Sequence, residues 1–324
     1  MIRRLTALGL TAVLLASVTG CDADASPSGP QPPEQPSDRW AIYELDLDTS
    51  QTGLVYSTTF PIEKCRVNPA GDTIAFSEAG TTEPGVYNTN EIYTIRVGEQ
   101  DRSMLTSNGT WDLYPAWSPD GSEVAFLSLR GDDLDIYIMN SDGSDQRLLF
   151  DSGSHDADID WEGDLIAFTS GSRIWLMNSD GSGARPITDP PRAGEWGDAV
   201  LPFGDYDPRI SPDGEKVVFS RLVDDESQHG NYDLFLVDVD GTGLTRLTET
   251  GYTQGVADWS NDGENLIYIL AAVGEEGRYD AYMMNADGTD NHNITPAEYP
   301  ANLLIHWAVF SPDDAKVYFV GEWW

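Results

Sequence analysis

Five aspartates, Asp112, Asp156, Asp158, Asp205 and Asp207, stand just ahead of three successive turn motifs. If the chain folds so that they meet, they offer hard oxygen ligands of the kind Ca²⁺ or Mg²⁺ takes. The alternative is a solvated acidic mouth in a generally acidic protein, because spacing alone supplies no coordination geometry. Beside them lie side chains suited to gripping a partner: Trp111, Tyr114, Trp196, Phe203, Tyr206 and His306. Rings of this kind combine large apolar area with a polar edge. Motifs that announce catalysis are missing from the sequence. There is no Gly-x-Ser-x-Gly, no His-Glu-x-x-His and no phosphate-cradling glycine loop. The histidines, His155, His229, His292 and His306, come from separate segments. Asp238-Val-Asp240-Gly241 opens like a calcium loop but lacks its downstream glutamate, and its siblings at 140, 178 and 285 mark it as a turn.

The elements that must position these residues repeat. The clearest unit runs from Tyr114: Tyr-Pro-Ala-Trp-Ser-Pro-Asp-Gly, then Glu-Val-Ala-Phe-Leu-Ser, Asp-Ile-Tyr-Ile-Met-Asn, Ser-Asp-Gly-Ser and Gln-Arg-Leu-Leu-Phe. Alternating apolar residues over 124–128 and 135–139 predict half-buried strands. Asp120-Gly121 and Asp142-Gly143 supply the positive-φ chemistry that closes hairpins. The first turn recurs at Asn68, Ser118, Ser211, Ser260 and Ser311, with a degenerate copy at Glu162. Spacings near about 50 residues, one four-stranded sheet each, indicate propeller blades. The last copy has only two strands, Trp307–Ser311 and Lys316–Glu322; Trp40–Leu47 and Gly53–Thr58 supply the missing pair. The predicted fold is an all-β, six-bladed propeller of four-stranded antiparallel blades, the last closed by N-terminal strands. Closing the ring removes exposed sheet edges. A closed ring of this kind is expected to act as a monomer.

In such a ring the tight turns share one face and the longer connections share the other. The second face is the expected functional one. It carries Tyr87, Trp111, His155, Trp196, Phe203, Tyr206, His229, Tyr252 and Tyr299, more than half of them expected to be local plugs. Inner strands begin there, so the five aspartates are expected to ring the channel mouth together with Tyr114 and Tyr206.

The Trp-Ser-Pro-Asp-Gly and Asn-x-Asp-Gly-Ser turns closely resemble the WD40-like repeats of TolB-type six-bladed propellers, over about residues 40–324. The resemblance implies the fold; propellers host binding modules and enzymes alike. TolB itself carries an extra α/β domain ahead of the propeller, and here only a short tether is expected at that place. Propeller lyases acting on oligogalacturonides use clustered histidines and a metal, a cluster not legible in this sequence. The leading expectation is a non-catalytic binding or scaffold module for a protein, peptide or glycan. The alternative is a metal-assisted hydrolase or lyase at the acidic mouth.

Composition and the N-terminus supply the address. Arg3 and Arg4 precede an apolar run from Leu5 to Val18, followed by Thr19, Gly20 and Cys21. This has the layout of an export signal and is too short for a comfortable membrane span. Val18-Thr19-Gly20-Cys21 resembles a bacterial lipobox, which implies residues 1–20 as signal and a lipid on Cys21. Residues 21–38, rich in Pro, Ser and Gln, read as a semi-extended tether, with the propeller over 39–324. The expected location is the cell envelope, on the periplasmic or extracellular side, with the membrane reached through the lipid alone. Cys65 then has no disulfide partner and reads as a small buried hydrophobe. The chain has 324 residues, 55 acids, 18 bases and a net charge of −37. That balance argues against nucleic acid as a partner, since phosphate neutralisation needs a basic surface. An acidic surface with only Lys64, Lys216 and Lys316 as lysines fits either adaptation to high salt or a cationic ligand.

Overall fold

The computed structural model describes residues 33–80, 90–199, 201–224, 230–271 and 278–324. Among them all strands fall into six four-stranded antiparallel sheets, the blades of a propeller. Blades 1 to 5 are each one continuous segment. Their inner strands are Ile62–Val67, Asp112–Trp117, Asp156–Glu162, Asp205–Ile210 and Thr253–Trp259. Blade 6 is composite: Leu303–Phe310 and Lys316–Trp323 continue into Trp40–Asp46 and Thr52–Thr58. The seam runs in unbroken register from Trp40 opposite Glu322 to Asp46 opposite Lys316. It is reinforced by Lys316 on Glu44 at 3.0 Å and by the Trp323 indole N–H donating to the Tyr43 hydroxyl at 2.8 Å. The described end of the expected tether packs back onto this blade, where the Tyr43 hydroxyl donates to the Glu34 carbonyl at 2.9 Å.

The core repeats with the blades. The second strand of each carries one fully buried aromatic: Phe76, Phe126, Phe168, Phe219, Tyr268 and Phe319. Each stands directly opposite an aromatic of the adjoining strand: Tyr93, Tyr137, Trp175, Phe235, Tyr282 and Tyr43. The six pairs have ring centroids 5.2 to 6.2 Å apart. Such cross-strand pairs add roughly 0.5–1.5 kcal/mol beyond area burial. Tryptophans at the ends of inner strands tie blade to blade. Trp117 donates its indole N–H to the Arg66 carbonyl and Trp259 to the Arg209 carbonyl, both at 3.1 Å. Cys65 lies fully buried in the layer between blades, where burial pushes its thiol up to about 12 and leaves it inert.

Candidate functional site

The inner strands line the central channel, and a bulge in each decides which side chains enter it. Pairing slips between Glu63 and Cys65, Leu113 and Ala116, Ala157 and Asp160, Tyr206 and Arg209, Gly255 and Asp258, and Ile305 and Trp307. At five of these slips one residue takes a left-handed conformation: Lys64, Tyr114, Asp158, Asp207 and Val256, with φ between 35° and 58°. Left-handed backbone costs an L-residue roughly 1–2 kcal/mol, and a β-branched Val more. Such strain persists where surrounding structure over-determines it, often at sites that do something.

Two layers of charge fill the bore. In the upper one, toward the long loops, the Lys64 ammonium lies 3.0 Å from Asp158 and 3.3 Å from Asp207. The same nitrogen sits over the rings of Tyr114, at 4.2 Å, and Trp307, at 4.8 Å. Lys64 is only 1% exposed. Burial pulls its pKa down, and the two carboxylates resist that shift. Burial also pushes up on Asp158, but the Lys64 charge and hydrogen bond outweigh it and hold the group low. Asp207 goes the other way, raised by burial and by the charge of Asp158. One lysine is therefore shared by two carboxyls, one held below its ordinary pKa and one held above it.

The lower layer holds Arg66 and Arg209 with Asp160 and Asp258. All four Arg–Asp separations are 3.8–3.9 Å. Asp160 and Asp258 each spend an oxygen on the next blade, accepting from the backbone N–H of Ile210 at 2.9 Å and of Phe310 at 3.1 Å. Below this layer a cavity of about 270 Å³ meets the tight-turn face. At its wall stands Glu162, whose carboxyl is pushed up to about 7 by burial and by Asp160. Glu63, next to Lys64, is likewise pushed up to about 7 by burial.

The expected mouth of five aspartates is not what the structure forms. It brings Asp158 and Asp207 together but keeps Asp112, Asp156 and Asp205 apart, each fully buried inside its own blade. Asp112 accepts from Ser128 Oγ and Asn108 Nδ2 at 2.5 Å and pairs with Arg130 at 3.0 Å. Asp156 accepts from Ser152 Oγ at 2.6 Å, and burial pushes its carboxyl up to about 6. Asp205 is held bidentate by Arg221 at 2.6 and 2.8 Å. The bulge is the physical reason. In a regular strand Asp156 and Asp158 would share a face, but the left-handed residue rotates that alternation between them. Among the described residues no three His, Cys, Asp or Glu side chains gather in a way that would hold a metal ion. The expected Ca²⁺ or Mg²⁺ ligands are therefore not brought together as one cluster among the described residues.

Of the expected gripping residues, Phe203 and Tyr206 are buried, forming a small cluster with Ala199, Leu222 and Tyr232 that plugs the loop face. The Tyr206 hydroxyl donates to the Pro202 carbonyl at 2.6 Å. Trp111 is half-buried against the core of blades 2 and 3, and Tyr114 faces the bore under Lys64. His306 is half-buried between Trp40 and Tyr279 with Nε2 2.7 Å from Glu322. Trp196 alone of the six is strongly exposed, at 65%. Cys21, Tyr87 and His229 lie outside the described residues. Sequence reasoning missed Lys64, Arg66 and Arg209. A signal was available: aligning the inner strands on their turns puts Lys64 and Arg66 at the positions of Asp158 and Asp160, a charge reversal between copies.

No family model matches the chain. It is 32% identical over 195 residues to uncharacterized protein Atu1656 of Agrobacterium fabrum, covering 56% of this chain and 62% of that protein. It is 29% identical over 163 residues to a TolB homolog of Chlorobium luteolum, covering 48% of this chain and 33% of the relative. The chain thus matches less than two thirds of the length of either relative. Among solved structures, a TolB candidate from Agrobacterium tumefaciens superposes with a TM-score of 0.66 at 18% identity, covering 89% of this chain and 99% of that one. The fold and bore are those of a six-bladed β-propeller. More narrowly, it is similar to propellers named TolB, the resemblance its turn motifs carry.

Proposed function

We propose that this chain is an envelope lipoprotein, held to the membrane through Cys21, whose propeller is a non-catalytic binding module for another envelope protein. The observation that carries the reading is the placement of exposed indoles. Trp196 and Trp324, 65% and 61% exposed, both lie on the loop face, whereas the exposed Leu54, Met104, Leu148 and Leu244 lie at or beside the outer strands. Tryptophan is over-represented among residues that dominate protein interfaces. The Trp196 loop is braced for contact: Gly194 N donates to Phe203 O at 2.8 Å, Phe203 N to Glu195 O at 2.9 Å, and Arg192 stacks on the Phe203 ring at 3.7 Å. A rigid aromatic loses little entropy on binding. Likeness to TolB-named relatives supports an envelope setting.

The test is crosslinking and affinity capture from envelope extract with the full chain, comparing Trp196→Ala with Trp324→Ala against Leu148→Ala on the outer rim. Capture of one protein should fall about tenfold or more in the tryptophan variants and stay unchanged in the leucine variant. Equal capture by all three, or recovery of glycan alone, would count against a protein-docking loop face. Cys21→Ser should move the protein into the soluble fraction, and continued membrane attachment would remove the lipid anchor from the reading.

A further inference from the structure

We infer that the cavity at the turn-face end of the channel is a binding site for a small monocarboxylate, gripped by Arg66 and Arg209. The argument begins with unspent donors. Arg209 is 1% exposed and Arg66 is 8% exposed, and both line the cavity. Each gives one nitrogen to a carbonyl of its own strand, Arg66 Nη1 to Cys65 at 3.5 Å and Arg209 Nη1 to Pro208 at 2.6 Å. Arg66 Nη2, Arg209 Nε and Arg209 Nη2 have no hydrogen-bond partner among the described residues. A buried guanidinium donor without an acceptor is costly, so a site holding three of them calls for an oxygen ligand.

The neighbouring aspartates do not fill that role. At 3.8–3.9 Å their oxygens stand beyond hydrogen-bond reach of the guanidinium nitrogens. They cannot swing closer without releasing Ile210 and Phe310, the backbone groups that join blade 3 to blade 4 and blade 5 to blade 6. The inter-blade bonds thus hold the acceptors off and leave the donors unspent in side chains that line the cavity. Asp160 and Asp258 still balance the two guanidinium charges, so a ligand is recognised by donor direction more than by net charge. A planar guanidinium fork matches the two oxygens of a carboxylate. The volume of about 270 Å³ suits a short organic acid or a single carboxylate-bearing side chain. Trp117, Trp161, Trp259 and Phe310 wall the cavity and can cover an apolar tail. A highly charged anion is disfavoured by a chain of net charge −37.

Glu162 adds a pH dependence. The charged groups sharing the cavity with it are Arg66 of blade 1, Asp160 of its own strand, Arg209 of blade 4 and Asp258 of blade 5. Its carboxyl, pushed up to about 7, is neutral below that pH and repels an incoming anion above it. Binding should therefore tighten as pH falls through about 7.

The experiment is calorimetry, with tryptophan fluorescence as a second readout, on the full chain titrated with acetate, butyrate or inorganic phosphate at ionic strength fixed with NaCl. Saturable binding of the monocarboxylates is expected, weakened about tenfold in Arg209→Lys, which keeps the charge and loses the fork. Should that variant fail to fold, Glu162→Gln, at the cavity wall, keeps the test open: it should bind butyrate with a flattened pH profile. Heat that grows linearly up to about 100 mM with every anion would mean the cavity holds water only, and the inference falls. Phosphate binding more tightly than butyrate would overturn the carboxylate assignment.

Discussion

The turn-face rim and the bore are built from the same six repeats and could hardly differ more. On the rim one device is copied. Ser118, Ser211, Ser260 and Ser311 each donate Oγ to the aspartate two residues on, at 2.5–2.8 Å. In the bore, one structural position is Lys64, Tyr114, Asp158, Asp207, Val256 and Trp307 in turn, and another is Arg66, Ala116, Asp160, Arg209, Asp258 and Val309. Residues that agree between copies build blades, because each copy faces the same local folding problem. Residues that disagree meet one another across the axis, where each needs a different partner. Chemistry particular to this protein is found where the repeat breaks down.

The largest test of that contrast is Lys64→Met. It leaves Asp158 and Asp207 buried side by side without their cation, a loss of about 3–5 kcal/mol in urea unfolding. Adding Asp158→Asn and Asp207→Asn should restore most of it. A loss of under about 1 kcal/mol in Lys64→Met would make the bore dispensable and break the contrast.

A smaller effect sharpens the view of the turns. Gly143 has φ +84°, and a Cβ there would stand 2.7 Å from the Leu105 carbonyl of the neighbouring blade; Gly98, at φ +88°, faces open space. Gly143→Ala should cost roughly 2–3 kcal/mol and Gly98→Ala about 1, separating inter-blade contact from backbone strain alone. Equal losses would reduce the turn to local chemistry.

The smallest effect separates the two regions by pH. Hydrogen bonds from Ser122 and Ser118 hold the turn carboxyl of Asp120 down at about 2, and those of Asp213, Asp262 and Asp313 are lowered in the same way. Their contribution is complete above the ordinary carboxylate pKa and is lost as pH falls toward 2. Glu63 and Glu162 are raised to about 7, so their folded forms keep a proton the unfolded chain has lost. Stability should therefore decline as pH rises from about 4.5 to 7. Melting scans should peak near pH 4–5, and Glu63→Gln with Glu162→Gln should flatten the decline. A profile rising steadily to pH 7 would contradict the burial of those two groups.

Much of the fold was legible because it is written in local terms. The Ser-x-Asp-Gly turns dictate hairpins, and two-residue apolar alternation marks the half-buried strands. Even the seam could be read, since the last repeat lacks two strands and residues 40–58 have the pattern to supply them. The candidate site was legible only in part. Asp158 and Asp207 were picked out for the right place, but with Asp112, Asp156 and Asp205, which a bulge turns into the blades. Phe203 and Tyr206 look like ligand-gripping aromatics in sequence and are packed under the loop that carries Trp196.

The amino-acid sequence by itself determined how many blades there are, how each is folded and how the ring closes, because hairpin turns and two-residue alternation act over a few neighbouring residues. Only the tertiary structure decided what the bore contains. Which residue takes the left-handed bulge, and which charge then meets which across the axis, depends on six strands distant in sequence arriving together. Lys64 finds Asp158 and Asp207 only once the ring has closed, and Arg66 and Arg209 keep donors free only because inter-blade hydrogen bonds hold Asp160 and Asp258 away from them.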